Sequence, residues 1–195
     1  MSSTRLSRRT AVAFLLASAG VFSAQAAFAA GQTLVPAQSE VTFTAKQLGV
    51  PLPGRFKRFS ATSAFDPRSP QTSQIAFQVD LGSVSINPDS DGELVKPEWF
   101  NVPKFPTATF QSSRIKALGG GRFEVAGKLS IKGQARDLVV PVQIAQAGGL
   151  TTATGDFALK RLDFKVGDGD WADTSVVAND VQVHVKLVLQ GVPQQ

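Results

Sequence analysis

Residues 123–144 read FEVAGKLSIKGQARDLVVPVQI, and the reading of this stretch decides the fold. Phe123, Val125, Gly127, Leu129 and Ile131 alternate with Glu124, Ala126, Lys128 and Ser130. After Lys132-Gly133-Gln134 the alternation resumes with Leu138, Val140, Val142 and Ile144. Successive side chains of a strand point to opposite faces, so a period of two marks a strand with one buried face. Two such runs joined by three turn-forming residues make an antiparallel hairpin.

The pattern extends in both directions. Upstream lie Val41, Phe43 and Ala45, then Phe59, Ala61, Ser63 and Phe65, then Ile75, Phe77, Val79 and Leu81. Downstream lie Phe157 and Leu159, then Val181, Val183, Val185, Leu187 and Leu189. Gly119-Gly120-Gly121 and Gly148-Gly149 are further turn signals. About eight strands with short connections form a meander that closes as a barrel or packs as a sandwich. Closure removes sheet edges and leaves room for one small ligand. The expected fold is therefore all-β, an antiparallel up-and-down barrel of about eight strands. Residues 88–102 interrupt the alternation. There Asp89 or Ser90 is expected to cap a short helix with Glu93 near its first turn. Pro97 begins a second turn, and the segment forms a lid over one mouth.

Residues 1–29 read as a signal peptide: a basic start from Arg5 to Arg9, an apolar run from Ala11 to Val21, and an Ala27-Phe28-Ala29 cleavage pattern. The apolar run is short for a bilayer span, and no later segment is long and apolar enough to span one. The mature domain, residues 30–195, is expected in the periplasm, with no stable membrane insertion. Arg8-Arg9 also resembles part of a twin-arginine signal, but Ala11-Val12 and the missing Lys fit the general secretory route better.

The net charge of +5 overstates the basicity of that domain. Three of the 20 basic residues, Arg5, Arg8 and Arg9, lie in the leader, leaving 17 against 15 acidic ones. Electrostatic binding of nucleic acid is not expected from so small an excess. With no cysteine, neither disulfides nor thiolate metal sites can form. The aromatic set of 14 Phe, 2 Trp and no Tyr suits an apolar interior better than a hydrogen-bonding groove.

No catalytic constellation assembles. His184 is the sole histidine and falls on the outward face of its strand. No nucleophile elbow, phosphate loop or dinucleotide fingerprint occurs, and no cofactor is implied. Residues 167–173 superficially resemble a calcium loop but lack its Glu and Gly positions, so a solvated turn is the expectation and no metal is assigned.

Four blocks then carry a resemblance: Gly54-Arg55-Phe56-Lys57-Arg58-Phe59-Ser60; Val84-Ser85-Ile86 through Trp99-Phe100-Asn101-Val102-Pro103-Lys104-Phe105-Pro106 to Thr109-Phe110-Gln111-Ser112; Val125 to Gly133 with Val139-Val140-Pro141-Val142; and Lys160-Arg161-Leu162-Asp163-Phe164 with Val181 to Leu189. In this order and spacing the chain resembles the YceI-like family of polyisoprenoid-binding, lipocalin-like periplasmic proteins. It departs from many members at Asp91-Gly92-Glu93-Leu94, where they carry an Arg-Asp pair. The resemblance implies a lipocalin-like barrel around an isoprenoid, a quinone tail or another long-chain lipid, and no reaction. The run at 169–174 is similar to a branch linked to cytochrome b561-type membrane proteins, which implies such a partner. A homodimer is a further candidate assembly.

The expected ligand wall is Phe43, Phe59, Phe77, Val79, Phe110, Val125, Leu129, Val140, Val142, Phe157, Val183 and Val185. The expected mouth is Phe56, Leu94, Trp99, Phe100, Phe105 and Trp171. Against this carrier reading stand a periplasmic stress or interaction protein with a solid β core, an enzyme acting on a bound lipid, and an outer-membrane barrel. The last would need apolar residues outside and polar ones inside.

Overall fold

The computed structural model describes residues 31–194. Its strands are β1 (Thr33–Leu34), β2 (Glu40–Gln47), β3 (Val50–Phe56), β4 (Phe59–Ala64), β5 (Gln74–Asp80), β6 (Val84–Ser85), β7 (Thr107–Gly119), β8 (Arg122–Ile131), β9 (Gln134–Ala147), β10 (Leu150–Lys160) and β11 (Asp180–Gln190). One helix, α1 (Pro88–Leu94), lies between β6 and β7. The proposed leader, residues 1–29, falls outside the described residues.

All the strand pairs are antiparallel, and the sheet runs β4-β5-β7-β8-β9-β10-β11-β2-β3-β6. The strands near its two ends, β3 and β4, are consecutive and joined by Lys57-Arg58. Counting that bent pair as one span gives eight spans around a curled sheet, as the alternation predicts. β1 completes one end by pairing with Leu189 and Gln190 of β11, and Gln32 bridges to Ser63 of β4. The Gln32 side chain fixes this closure, donating to Phe65 O at 2.6 Å and accepting from Phe65 N at 3.0 Å.

Register puts the predicted apolar sets on one face. Val183 lies opposite both Phe157 on β10 and Phe43 on β2, and Val125 lies opposite Val140. Lys132-Gly133 and Gly148-Gly149 form two-residue hairpin turns with positive φ at both positions, the geometry that matches strand twist. Gly120-Gly121 and Leu48-Gly49 make further such turns, the latter between β2 and β3 in a stretch without a turn signal of the same strength.

The helix forms in the predicted segment, but its cap is Asn87, whose side chain accepts from Ser90 N at 2.9 Å. Pro88 follows at the first helical position, where its missing N–H costs nothing. Neither Asp89 nor Ser90 takes the capping role. Asp91 turns back to accept from Ile86 N at 2.6 Å.

Two apolar clusters occupy the ends of the barrel. One holds Phe65, Ile115, Phe123, Ile144 and Leu189. The other joins Leu94 and Trp99 to Phe164, Val166 and Val177, which come from the long β10–β11 connection. A third small cluster, Val79, Leu81 and Ala108, packs beneath Phe59 and Phe100. No helix among the described residues is long and apolar enough to cross a membrane.

Candidate functional site: an apolar cavity inside the sheet

The inward residues of β11 are only half-buried. Val181, Val183, Val185 and Leu187 keep accessible surface even though their faces point into the barrel. That surface borders a void. A cavity of about 580 Å³ runs through the interior, lined by side chains from β2, β3, β5 and β7–β11, from α1, and from the β10–β11 connection.

Of the residues expected at the wall, Phe43, Phe77, Val79, Phe110, Val125, Leu129, Val140, Val142, Phe157, Val183 and Val185 line this cavity. Of those expected at the mouth, Phe56, Leu94, Trp99, Phe100 and Trp171 do. Phe59 and Phe105 do not. Phe59 starts β4 beside the Lys57-Arg58 bend and lines a separate shallow hollow with Arg58, Gln78 and Thr107. The Phe105 ring lies against Gly133 at the β8–β9 turn, under Lys104 Nζ at 5.4 Å.

Phe65, Phe123 and Ile144, which belong to the same alternation, also border the cavity beyond the expected wall. Phe164, Val166 and Val177 border it from a connection without periodicity, so no pattern in the sequence marked them.

Two glycines make room for rings within the wall. Phe43 faces Gly54 across β2 and β3, and its ring lies over the Gly54 backbone where a Cβ would otherwise project. The Phe110 ring covers Gly127 in the same way. Each ring is thereby laid along the sheet instead of into the lumen.

Two buried cations hold the lid end together. Arg161 is 5% exposed, and among the described residues none of its N–H groups donates to a carboxylate. Its five N–H groups instead donate to the carbonyls of Ala178, Val166, Gly167, Trp171 and Val177. Burial pushes its guanidinium below the ordinary arginine value, yet arginine stays charged in proteins. Lys132, 8% exposed, donates to Glu98 O, Lys165 O and Asp168 Oδ2 at 3.2, 2.6 and 3.3 Å. The residue-98 and residue-165 segments are thus tied to the β8–β9 turn. Asp168 is a lysine partner and Asp173 accepts from Ser175 N and Oγ, so the acidic run at 167–173 is used within the loop.

His184 stands on the outer face, with its Nδ1 2.7 Å from Asp156 Oδ1. At the same end as Arg161, the buried indole Nε1 of Trp99 has no hydrogen-bond partner among the described residues, and the Trp99 and Trp171 rings lie 5.3 Å apart.

A model of the YceI-like domain matches residues 32–189. The chain belongs to the YceI-like family. A UPF0312 protein of Vibrio cholerae is 29% identical over 114 residues, which cover 57% of this chain and 60% of that protein. A UPF0312 protein of Azotobacter vinelandii is 31% identical over 110 residues, covering 55% of this chain and 57% of that one. The match thus spans about 60% of the length of these curated relatives. Among solved structures, Burkholderia cenocepacia BcnA is 39% identical, with a TM-score of 0.77 over 80% of this chain and 98% of that one. A domain of Saccharophagus degradans described as polyisoprenoid-binding, and as implicated in plant cell wall breakdown, shares the YceI-like fold at 17% identity. Its TM-score is 0.65 over 83% of this chain and 98% of that domain.

Proposed function

We propose that this YceI-like domain is an exported periplasmic carrier that encloses one long apolar lipid, an isoprenoid or isoprenoid quinone, and catalyses no reaction. The observation that carries the reading is the cavity of about 580 Å³, walled mainly by Phe, Val, Leu and Ile side chains. Such a wall offers a hydrocarbon chain no hydrogen bonds and needs none. Its driving force is the removal of apolar surface from water, about 25 cal/mol per Å², so several hundred Å² correspond to roughly 10 kcal/mol before the costs of association. The relative described as polyisoprenoid-binding supports the ligand class. The leader at 1–29 supports export, and the run at 169–174 supports delivery to a cytochrome b561-type membrane protein. A solid-core interaction protein is the reading that the void disfavours.

Organic extraction of protein purified from its native host, followed by mass spectrometry, tests the proposal. One prenyl lipid or quinone per chain is expected. Protein that repeatedly yields no lipid and takes up neither a quinone nor a polyprenol overturns it.

A further inference from the structure

Four large apolar side chains stand exposed among the described residues: Leu48, Val50, Leu118 and Val139. Leu118 and Val139 lie on separate strands, β7 and β9. Leu48 and Val50, 71% and 61% exposed, share one turn, the tip of the β2–β3 hairpin.

That tip lies on the rim of the cavity. Ala45 and Leu52 face each other across β2 and β3, and both line the chamber. Two residues further along, Gln47 faces Val50. Gln47 is exposed and still borders the cavity, whereas Val50 has passed beyond it. Residues two apart on a strand share a face. The cavity-facing side of this hairpin therefore runs out past the rim as Val50 and ends at Leu48.

The exposure is not that of a loose loop. Leu48 N donates to Val176 O at 2.8 Å, Ala178 N donates to Lys46 O at 2.9 Å, and Gln47 bridges to Val177. Leu48 is held at φ 49°, in the left-handed region that residues with a Cβ avoid. Asn-Gly or Asp-Gly is the ordinary choice for such a turn. A leucine here is unfavourable twice over, in its backbone and in its wetted side chain. Both costs point to a contact made outside the fold.

Size, charge and position say what that contact is. A stable protein interface takes about 800 Å² from each partner, far more than two side chains supply. A bilayer sets no such minimum, and small apolar elements lie shallowly in its interface. The tip carries no strong charge: Lys46 adds one positive charge, and Asp173, whose carbonyl accepts from Val176 N, adds one negative. Apolar entry is thus the driving force, and an anionic surface is not required. The chamber behind the rim is itself walled for hydrocarbon.

Resting on the carrier reading above, we infer that the β2–β3 tip is a membrane-docking element. Leu48 and Val50 enter a lipid bilayer shallowly and reversibly. The cavity rim then lies against the bilayer, and an apolar ligand passes between them without crossing water.

The test follows uptake of dansyl-labelled farnesol from phosphatidylcholine vesicles by lipid-free protein, read as energy transfer from Trp99 and Trp171. The uptake rate is expected to rise in proportion to vesicle concentration and to be unmoved by added salt. Leu48→Asn combined with Val50→Thr is expected to slow it about tenfold, the equivalent of losing one buried leucine. Neither residue lines the cavity, so affinity for the probe added from solution should be unchanged. Asn suits the left-handed turn, so Leu48→Asn alone should raise the urea midpoint while it slows uptake. A rate independent of vesicle concentration, one that salt abolishes, or one that the paired substitutions leave unchanged overturns docking and spares the carrier reading. A parent dimer that Leu48→Asn dissociates would seat a second copy on the tip and overturn it likewise. No uptake by the parent protein from vesicles or from solution removes both readings together.

Discussion

The Phe43 ring occupies the space that a Cβ on Gly54, its cross-strand partner, would need. A methyl there would lie 2.8 Å from Phe43 Cε1 and closer still to Cζ. Gly54→Ala must therefore drive the ring toward the lumen. It is expected to cost about 1–3 kcal/mol, as overpacked sites do. It should also lower lipid uptake. Denaturation midpoints together with the lipid content of the purified variant check both effects.

Val183 stands between Phe157 and Phe43 on the wall. Replacing it by Phe adds volume where space exists, so the usual overpacking penalty should largely vanish. Val183→Phe is expected to keep stability within about 1.5 kcal/mol of the parent and to exclude lipid. A variant that folds normally and still carries a full complement of lipid would refute the assignment of this wall.

Trp99 and Trp171 are the chain's 2 tryptophans, there is no tyrosine, and both indoles border the cavity. Intrinsic emission excited in the tryptophan band thus reports the lid end alone. Filling the cavity with an unlabelled prenol should shift or quench that emission in a saturable way. A change that does not saturate, or none, would place the ligand elsewhere.

The barrel was legible because the wall strands obey period two without exception along their inner faces, from Phe123 to Ile131 and from Val181 to Leu189. The lid was legible only in part. Leu94, Trp99 and Phe100 stood out as large apolar residues in a segment without alternation. Phe164, Val166 and Val177 sit in a connection whose course is dictated by hydrogen bonds to one guanidinium, a tertiary feature with no local pattern. Apolar character alone points Phe59 and Phe105 toward the ligand. The chain bend at Lys57-Arg58 and the Gly133 turn draw them to other surfaces. The helix cap is ambiguous in sequence because Asn, Asp and Ser are all good caps, and the choice of Asn87 follows from Pro88 at the next position.

Arg161 organises that connection, and its loss should be severe. Arg161→Met removes the donors to five buried or half-buried carbonyls at once. A loss of about 3 kcal/mol or more is expected from the unpaired groups, read from urea midpoints. Arg161→Lys, with three donors, should recover part of it. Near-parent stability in Arg161→Met would mean the connection is held by its apolar contacts alone.

Acid should act through exposed carboxylates. Hydrogen bonds from the Arg68 side chain hold Asp66 below the ordinary aspartate value of 3.8, the Lys128 side chain does the same for Asp137, and the Ser175 hydroxyl for Asp173. A carboxylate with a depressed folded value contributes stability that is complete above the unfolded value and lost as pH falls through the folded one. Thermal midpoints should therefore stay level from neutral pH down to about 5 and fall below about 4. Because these groups are exposed, added salt should flatten the fall.

Around most of the barrel, moving two neighbouring spans apart means breaking a run of backbone hydrogen bonds. Where β3 passes into β4 the wall is held by the peptide linkage itself, by the two-residue pairing of Val84–Ser85 with β3 and by the single Gln32 bridge to Ser63 of β4. The girth of the container can therefore change at this one pleat without unzipping a ladder. Cargo of differing thickness can share a single protein wall, and the pleat should show the fastest amide exchange of any wall segment while the chamber is empty, and slow markedly once it is full.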